Sequence, residues 1–206
     1  MTLTTVQAGA YLHHVAFESG EPERLARFYA EAMDMRLEKI GDDEWRCEGP
    51  QRRFVARKGA DRQLAYAGLA CRDAEGLAAI RARAEAEGIP IEASPSPYFE
   101  AGAFGVRDPD GNLICFGLAT PQAEGFTGLH APTQHLTFAS FDVEAFRAFY
   151  CDRLGFALSD RVLHPDGKMA TCFVRSNHEH HTIACFKSDR QGVDHHSYEA
   201  GTWNGI

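Results

Sequence analysis

The sequence has no apolar run approaching the ~20 residues that a membrane-spanning helix needs. Its N-terminus, "MTLTTVQAGA", lacks the basic segment and apolar core of a secretory signal, so we expect a cytoplasmic protein. The six cysteines include no CxxC pair, in a chain long enough to bury its own core. Reduced thiols are therefore favoured over a disulfide framework.

Positive charge is also scarce. Lysine and arginine together number 21 against 29 acidic residues, which gives a formal net charge of −8. A polyanion would be repelled by such a chain unless a local basic patch intervened, and the basic segment "QRRF" (51–54) is too short to form one. We expect neither nucleic acid nor an anionic membrane as a partner.

The chain does contain an internal repeat. Residues 11–37 and 133–158 share a pattern in which a histidine precedes a phenylalanine by three positions and a tyrosine by fifteen. The two copies are 121 residues apart at all three positions, which indicates duplication of one structural unit. The matching residues are His14, Phe17 and Tyr29 in the first copy and His135, Phe138 and Tyr150 in the second.

Each copy predicts a strand, then an amphipathic helix, then shorter strands. A weaker copy lies between them, with a strand at 64–73 and a helix that stops at Gly88. Residues 193–206 would be the first strand of a fourth unit. The predicted fold is therefore α+β, with tandem βαβββ units. Residues 1–120 would form one domain of two units, 121–132 a linker, and 133–206 the first part of an incomplete second domain.

Paired βαβββ units whose first strands begin with "H-[VL]-[AT]-F" resemble the vicinal oxygen chelate superfamily, which includes glyoxalases and bleomycin-resistance proteins. Four units in tandem resemble the type I extradiol ring-cleavage dioxygenases. The segments "QHLTF", "HHTIACF" and "DHHSYEAGTW" are similar to that family's in order and approximate spacing. The resemblance implies a structural glyoxalase-like barrel domain first, followed by a domain that holds non-haem Fe(II).

The implied activity is cleavage of a catechol-type aromatic ring with O2. Two imidazoles and one carboxylate on one face of the metal leave open positions for catecholate and dioxygen, and Mn(II) accepts the same ligand set. The implied partners are therefore a small catechol and O2. Exposed sheet edges lead us to expect a homo-oligomer as well.

The resemblance assigns the first metal ligand to His135. His195 and His196 compete for the second, and the H-x-x-[FY] register, which ends at Tyr198, favours His195. His181 matches a histidine that handles protons beside the metal, a role that suits an imidazole because its ordinary pKa lies near neutral pH.

Five of the ten histidines lie between residues 176 and 196. Strict alternation in a strand over 180–186 would place His181 on the same face as Ile183 and Cys185, and only one of His180 and His181 could face the cavity. We expect His178 and His180 at a turn and on the surface.

In the first half of the chain, the equivalent positions are His14, Tyr66 and Cys115. One plausible ligand among three does not make a metal site. This pair of units is therefore expected to be structural, with His14 a relic or a hydrogen-bonded residue.

The repeat offset would put the third, carboxylate ligand at roughly position 236 to 244, beyond Ile206. The chain is thus expected to lack that ligand, to be C-terminally truncated and to be inactive in this form. One alternative is a metal-free protein of the same fold that binds a small aromatic ligand. Another is a glyoxalase or epimerase that uses residues 11–120, against which Tyr66 and Cys115 argue.

Overall fold

The computed structural model describes residues 3–122, 124–126 and 130–201 of the chain. A short helix, α1 (Thr5–Ala8), comes first and was not anticipated from the sequence. Three successive units of one strand, one helix and three strands follow it, and this confirms the predicted α+β fold of tandem βαβββ units. Within the described residues, no helix is both long enough and apolar enough to cross a membrane.

The elements of each unit are as follows. The first unit contains β1 (Tyr11–Ser19), α2 (Pro22–Ala32), β2 (Arg36–Gly41), β3 (Glu44–Gly49) and β4 (Arg52–Lys58). The second contains β5 (Gln63–Ala70), α3 (Ala74–Ala86), β6 (Glu92–Ala93), β7 (Phe104–Arg107) and β8 (Leu113–Gly117). The third contains β9 (Thr133–Ser140), α4 (Val143–Arg147) with a π-helical continuation (Ala148–Arg153), β10 (Ala157–Leu163), β11 (Met169–Arg175) and β12 (Ile183–Lys187). A further strand, β13 (Gly192–Tyr198), comes last.

The strands form two sheets. The first two units make an eight-stranded sheet in the order β2-β3-β4-β1-β5-β8-β7-β6. The other strands make a five-stranded sheet in the order β10-β11-β12-β9-β13. In the first sheet β1 pairs antiparallel with β5 and parallel with β4; in the second β9 pairs antiparallel with β13 and parallel with β12. The second sheet therefore repeats the order β2-β3-β4-β1-β5, which is five adjacent strands at one end of the first sheet.

Capping residues mark the start of α3 and α4 and the end of α3. The carboxylate of Asp73 accepts a hydrogen bond from the Gly76 amide at the start of α3, and Asp142 does the same for Ala145 at the start of α4. Beyond the end of α3, Gly88 has a φ of 64°, a left-handed conformation that glycine adopts without a Cβ penalty. The predicted helix stop at this residue is confirmed.

A β-bulge occurs in the first strand of all four units. Each strand has one extra residue where β1 pairs with β5 and where β9 pairs with β13. These four residues are His13 in β1, Ala65 in β5, Gln134 in β9 and Asp194 in β13. In every unit, the bulged residue comes directly before the position at which the repeat predicts a ligand or its equivalent.

One continuous apolar core extends from the first sheet to the second and includes Phe54 and Phe116 from the first sheet, Phe138 from the second sheet and Phe146 from α4. Buried polar contacts also join the two parts. The Tyr150 hydroxyl donates to the Asp108 carboxylate at 3.2 Å, and the Ser176 hydroxyl donates to the Ala10 carbonyl at 2.6 Å. Burial raises the pKa of Asp108 to about 6.

Two predicted strands differ from the structure. The strand predicted over 180–186 begins only at Ile183, because a turn occupies residues 176–182. The Ser176 amide donates to the Thr182 hydroxyl at 3.1 Å, and the Thr182 amide donates to the Val174 carbonyl at 2.9 Å. Part of the strand predicted over 193–206 is β13, and its last five positions lie outside the described residues.

Candidate active site

The antiparallel pairing of β9 and β13 brings His135 and His195 face to face. Their Nε2 atoms lie 3.2 Å apart and their rings are inclined at 82° to each other. Two nitrogens that each bind one metal ion at ~2.1 Å, at right angles, would be separated by ~3.0 Å. The observed separation fits a shared metal ion.

The Nδ1 atom of each histidine contacts a hydrogen-bond acceptor. His195 Nδ1 lies 2.9 Å from the carboxylate of Asp194, which is itself held by Arg190 at 2.7 Å. His135 Nδ1 contacts the side-chain oxygen of Gln134 and lies 2.8 Å from the Ser197 hydroxyl. A histidine that donates from Nδ1 has its lone pair on Nε2, which is the form that binds a metal.

His181 completes the group. Its ring centroid lies 4.3 Å from that of His135 and 5.2 Å from that of Phe173, a residue of the neighbouring strand β11. Burial and the adjacent histidines lower the pKa of His135 to about 4, and burial, His180 and His195 lower the pKa of His181. Both imidazoles are therefore neutral at pH 7, so His135 can act as a ligand and His181 can accept a proton.

The structure thus brings together the three histidines singled out in the sequence, but the alternation argument for His181 was wrong. Ile183 and Cys185 are fully buried in the apolar core, whereas His181 lies beside His135. The reason is that His181 lies in the turn that precedes β12, where strand alternation does not apply. His178 and His180 are both exposed, as predicted.

His196 points to the opposite side of β13 from His195. Its ring packs against Phe17 and Tyr29 of the first unit, with centroid distances of 5.5 and 5.7 Å. Burial lowers its pKa to about 4. The ring that faces His135 is that of His195, the residue the register favours.

Among the described residues, no group of three or more histidine, cysteine, aspartate or glutamate side chains forms a cluster that could hold a metal ion. The imidazole nitrogens that face each other in this part of the chain are the Nε2 atoms of His135 and His195. The distance between the two Nε2 atoms and the Nδ1 contacts of both rings fit a metal that these two residues hold in part.

The equivalent site in the first sheet is filled by protein. His14 is fully buried, and its Nε2 lies 2.8 Å from the Ser96 hydroxyl, so it is a hydrogen-bonded residue as predicted. The rings of Tyr98 and Phe99 pack on it at 5.1 and 5.0 Å. Burial lowers the pKa of His14 to about 3 and raises that of Cys115 to about 11.

Two residues that contact the histidine rings were not predicted from the sequence. Gln134 contacts His135 Nδ1 and Asp194 contacts His195 Nδ1, and each of them is the extra residue of a β-bulge. The signal available was their position, because each directly precedes a histidine of the repeat. Arg190 was not predicted either, and its contact with Asp194 depends on how the chain turns before β13.

The chain belongs to the Glyoxalase/Bleomycin resistance protein/Dioxygenase superfamily, whose family model matches residues 11–116 and 133–205. No match was found among curated proteins.

Solved structures share the fold. Homoprotocatechuate 2,3-dioxygenase from Arthrobacter globiformis superposes with a TM-score of 0.79 at 16% identity, over 98% of this chain and 68% of that one. The enzyme from Brevibacterium fuscum, in complex with 3,4-dihydroxyphenylacetate, gives 0.77 at 15% identity, over 96% and 66%. An Mn(II)-bound glyoxalase from Novosphingobium aromaticivorans gives 0.71 at 21% identity, over 95% and 68%. The chain thus spans about two thirds of the length of these proteins.

Proposed function

We propose that this chain carries two metal ligands and the acid–base residue of an extradiol dioxygenase that opens a catechol-type ring with O2. The observation that carries the proposal is the pair of Nε2 atoms of His135 and His195, which face each other at 3.2 Å. The structural likeness to two homoprotocatechuate 2,3-dioxygenases supports the same reading.

In this proposal His135 and His195 hold Fe(II) or Mn(II). When bound, such an ion with open coordination positions supplies the place where catecholate and O2 meet. His181 is neutral at pH 7 and half-buried beside His135, so it can accept the proton of a catechol hydroxyl and later return it. Phe173 packs against the His181 ring and limits its orientation.

The setting proposed for this activity is the cytoplasm. All six cysteines are free thiols, and five of them are buried, which fits a reducing compartment. We also propose a homo-oligomer, because β13 and β10 are the edges of the five-stranded sheet in the described part of the chain.

The test uses the full-length gene product, loaded with Fe(II) without oxygen, mixed with a panel of catechols and then exposed to air. We expect a yellow ring-opened semialdehyde product, and His135→Ala should abolish it. His181→Gln should lower kcat by roughly 10²–10⁴-fold with little change in metal affinity, because it removes the proton acceptor.

His178→Gln is the matched control, since the His178 side chain lies in the same segment and is 89% exposed. It should behave like the wild type. A solution that stays colourless with every catechol, or a His135→Ala variant that works as well as the wild type, contradicts the proposal.

A second candidate is a metal-free protein that binds a small aromatic molecule, with His181 and His195 as hydrogen-bonding groups. This candidate is favoured by the first sheet, because His14 occupies the position equivalent to His135 and there makes polar contacts to the side chains of Ser96 and His13. Metal analysis separates the two: near one iron or manganese per chain excludes this candidate.

A further inference from the structure

We infer that Asp194 and Gln134 are positioning residues, placed by β-bulges so that they fix the ring tautomers of His195 and His135 and direct both Nε2 atoms toward one metal. This inference rests on the proposed function for its purpose. Its structural part, the tautomers, can be tested without any metal.

The bulge explains how neighbouring residues can touch. In a regular strand, successive side chains point to opposite faces, so Asp194 could not reach the ring of His195. Here Val193 pairs with Phe138 and His195 with Thr137, which leaves Asp194 as the extra residue. The bulge re-aims its carboxylate to 2.9 Å from His195 Nδ1.

The same device occurs in β9. Ser197 pairs with His135 and Tyr198 with Thr133, so Gln134 is the extra residue there. Its side-chain oxygen contacts His135 Nδ1. Both acceptors contact Nδ1, and the Nε2 atoms are the ones that face each other.

The first sheet has the bulges, but neither bulged residue there offers a side-chain oxygen as an acceptor. In β5 the bulged residue is Ala65, which has no polar side chain. In β1 it is His13, whose Nδ1 lies 2.9 Å from that of His14, while His14 Nε2 is occupied by Ser96. The bulge is thus common to all four units, and only the two units of the proposed metal site carry an oxygen acceptor on it.

Asp194 is itself held in place. Arg190 forms an ion pair with it at 2.7 Å, and this arginine is also 3.4 Å from the Val193 carbonyl. The Asp194 side chain is one third exposed, so it accepts this contact and the histidine contact without being buried in the core. Orienting contacts of this kind commonly change metal affinity by 10–100-fold.

The first test measures tautomers by long-range ¹H–¹⁵N correlation on metal-free, ¹⁵N-histidine-labelled protein at pH 8, with His195→Gln used to assign the signal. We expect His195 to be protonated at Nδ1, whereas an imidazole free in water favours protonation at Nε2. Asp194→Ala should shift His195 toward the Nε2–H form. Asp194→Asn keeps an acceptor oxygen and should largely preserve the wild-type tautomer.

Asp189→Ala is the matched control, because it removes one negative charge from the same exposed segment. It should leave the His195 tautomer unchanged. An Asp194→Ala spectrum identical to that of the wild type overturns the inference, whatever the protein does with metals.

The second test is calorimetric titration with Mn(II). Asp194→Ala should weaken binding by roughly 10–100-fold and Asp189→Ala by less than about twofold. Equal affinities for these two variants overturn the positioning role. If Asp194→Ala shifts the His195 tautomer but the wild-type protein binds no metal, the tautomer assignment stands and the proposed function is contradicted.

Discussion

The histidines of this chain differ in pKa because their surroundings differ. His14 is fully buried and its pKa is lowered to about 3, while His135 and His196 have pKa values lowered to about 4. His178, by contrast, has a side chain that is 89% exposed. Since burial penalises the charged form of an imidazole, the depressed pKa values identify histidines that the fold keeps neutral.

Stability should therefore fall on acidification. A histidine with a lowered folded pKa takes up its proton more readily in the unfolded chain, so the free energy of unfolding decreases as pH falls from about 6.5 toward 4. Asp108 works in the opposite sense, because its raised pKa of about 6 makes the folded state bind more protons over about pH 4 to 6.

The pH dependence of the free energy of unfolding measures how many more protons the unfolded chain binds than the folded one. We predict that His14→Gln lowers this difference by about one proton per molecule. The measurement is urea unfolding at pH 4.5, 5.5, 6.5 and 7.5. His178→Gln is the control and should reproduce the wild-type slope, since its side chain is exposed. A His14→Gln variant with an unchanged slope would show that His14 is not the buried neutral group described.

At the scale of elements, equivalent strand positions explain why the two histidine sites differ. Gly68 in β5 pairs with His14, and Ser197 in β13 pairs with His135. A Cβ on Gly68 would lie 2.1 Å from the Cε1 atom of His14. The His14 ring can therefore lie against this strand because residue 68 has no side chain. Ser197 instead offers its hydroxyl to His135 Nδ1.

Gly68→Ala should therefore destabilise the protein by about 1–3 kcal/mol or more, because overpacking in a buried site forces side chains and backbone to shift. In a His14→Ala background the same change should cost much less, since the clashing ring is gone. Chemical denaturation of the two single variants and the double variant measures the difference. Additive effects would contradict the close approach.

The order of elements could be predicted from the sequence because the repeat transfers the pattern of one unit to the next. That His195 rather than His196 faces His135 could be predicted for the same reason: every unit has its bulge at the equivalent residue, so the register is preserved. The bulges themselves and the turn at 176–182 could not, since alternation assumes regular pairing. His181 reaches the site through that turn, and no periodicity in the sequence describes its path.

At the scale of the whole molecule, the two sheets share one core, and His196 packs on the first unit while its neighbour His195 faces the site. The first unit therefore packs against the face of β13 that is opposite to the His195 ring. The first sheet has the same strand pairing, but its site is closed by Tyr98, Phe99 and Ser96. A duplicated fold thus carries one filled site and one site with converging imidazole nitrogens.

The most direct measurement is anaerobic titration of the metal-free, full-length gene product with Fe(II) or Mn(II), comparing the wild type with His195→Ala and His196→Ala. We predict one ion per chain, a loss of affinity of at least about 100-fold for His195→Ala and little change for His196→Ala, because His195 and not His196 faces His135. Equal binding by the wild type and His195→Ala, or loss of binding in His196→Ala alone, would contradict it.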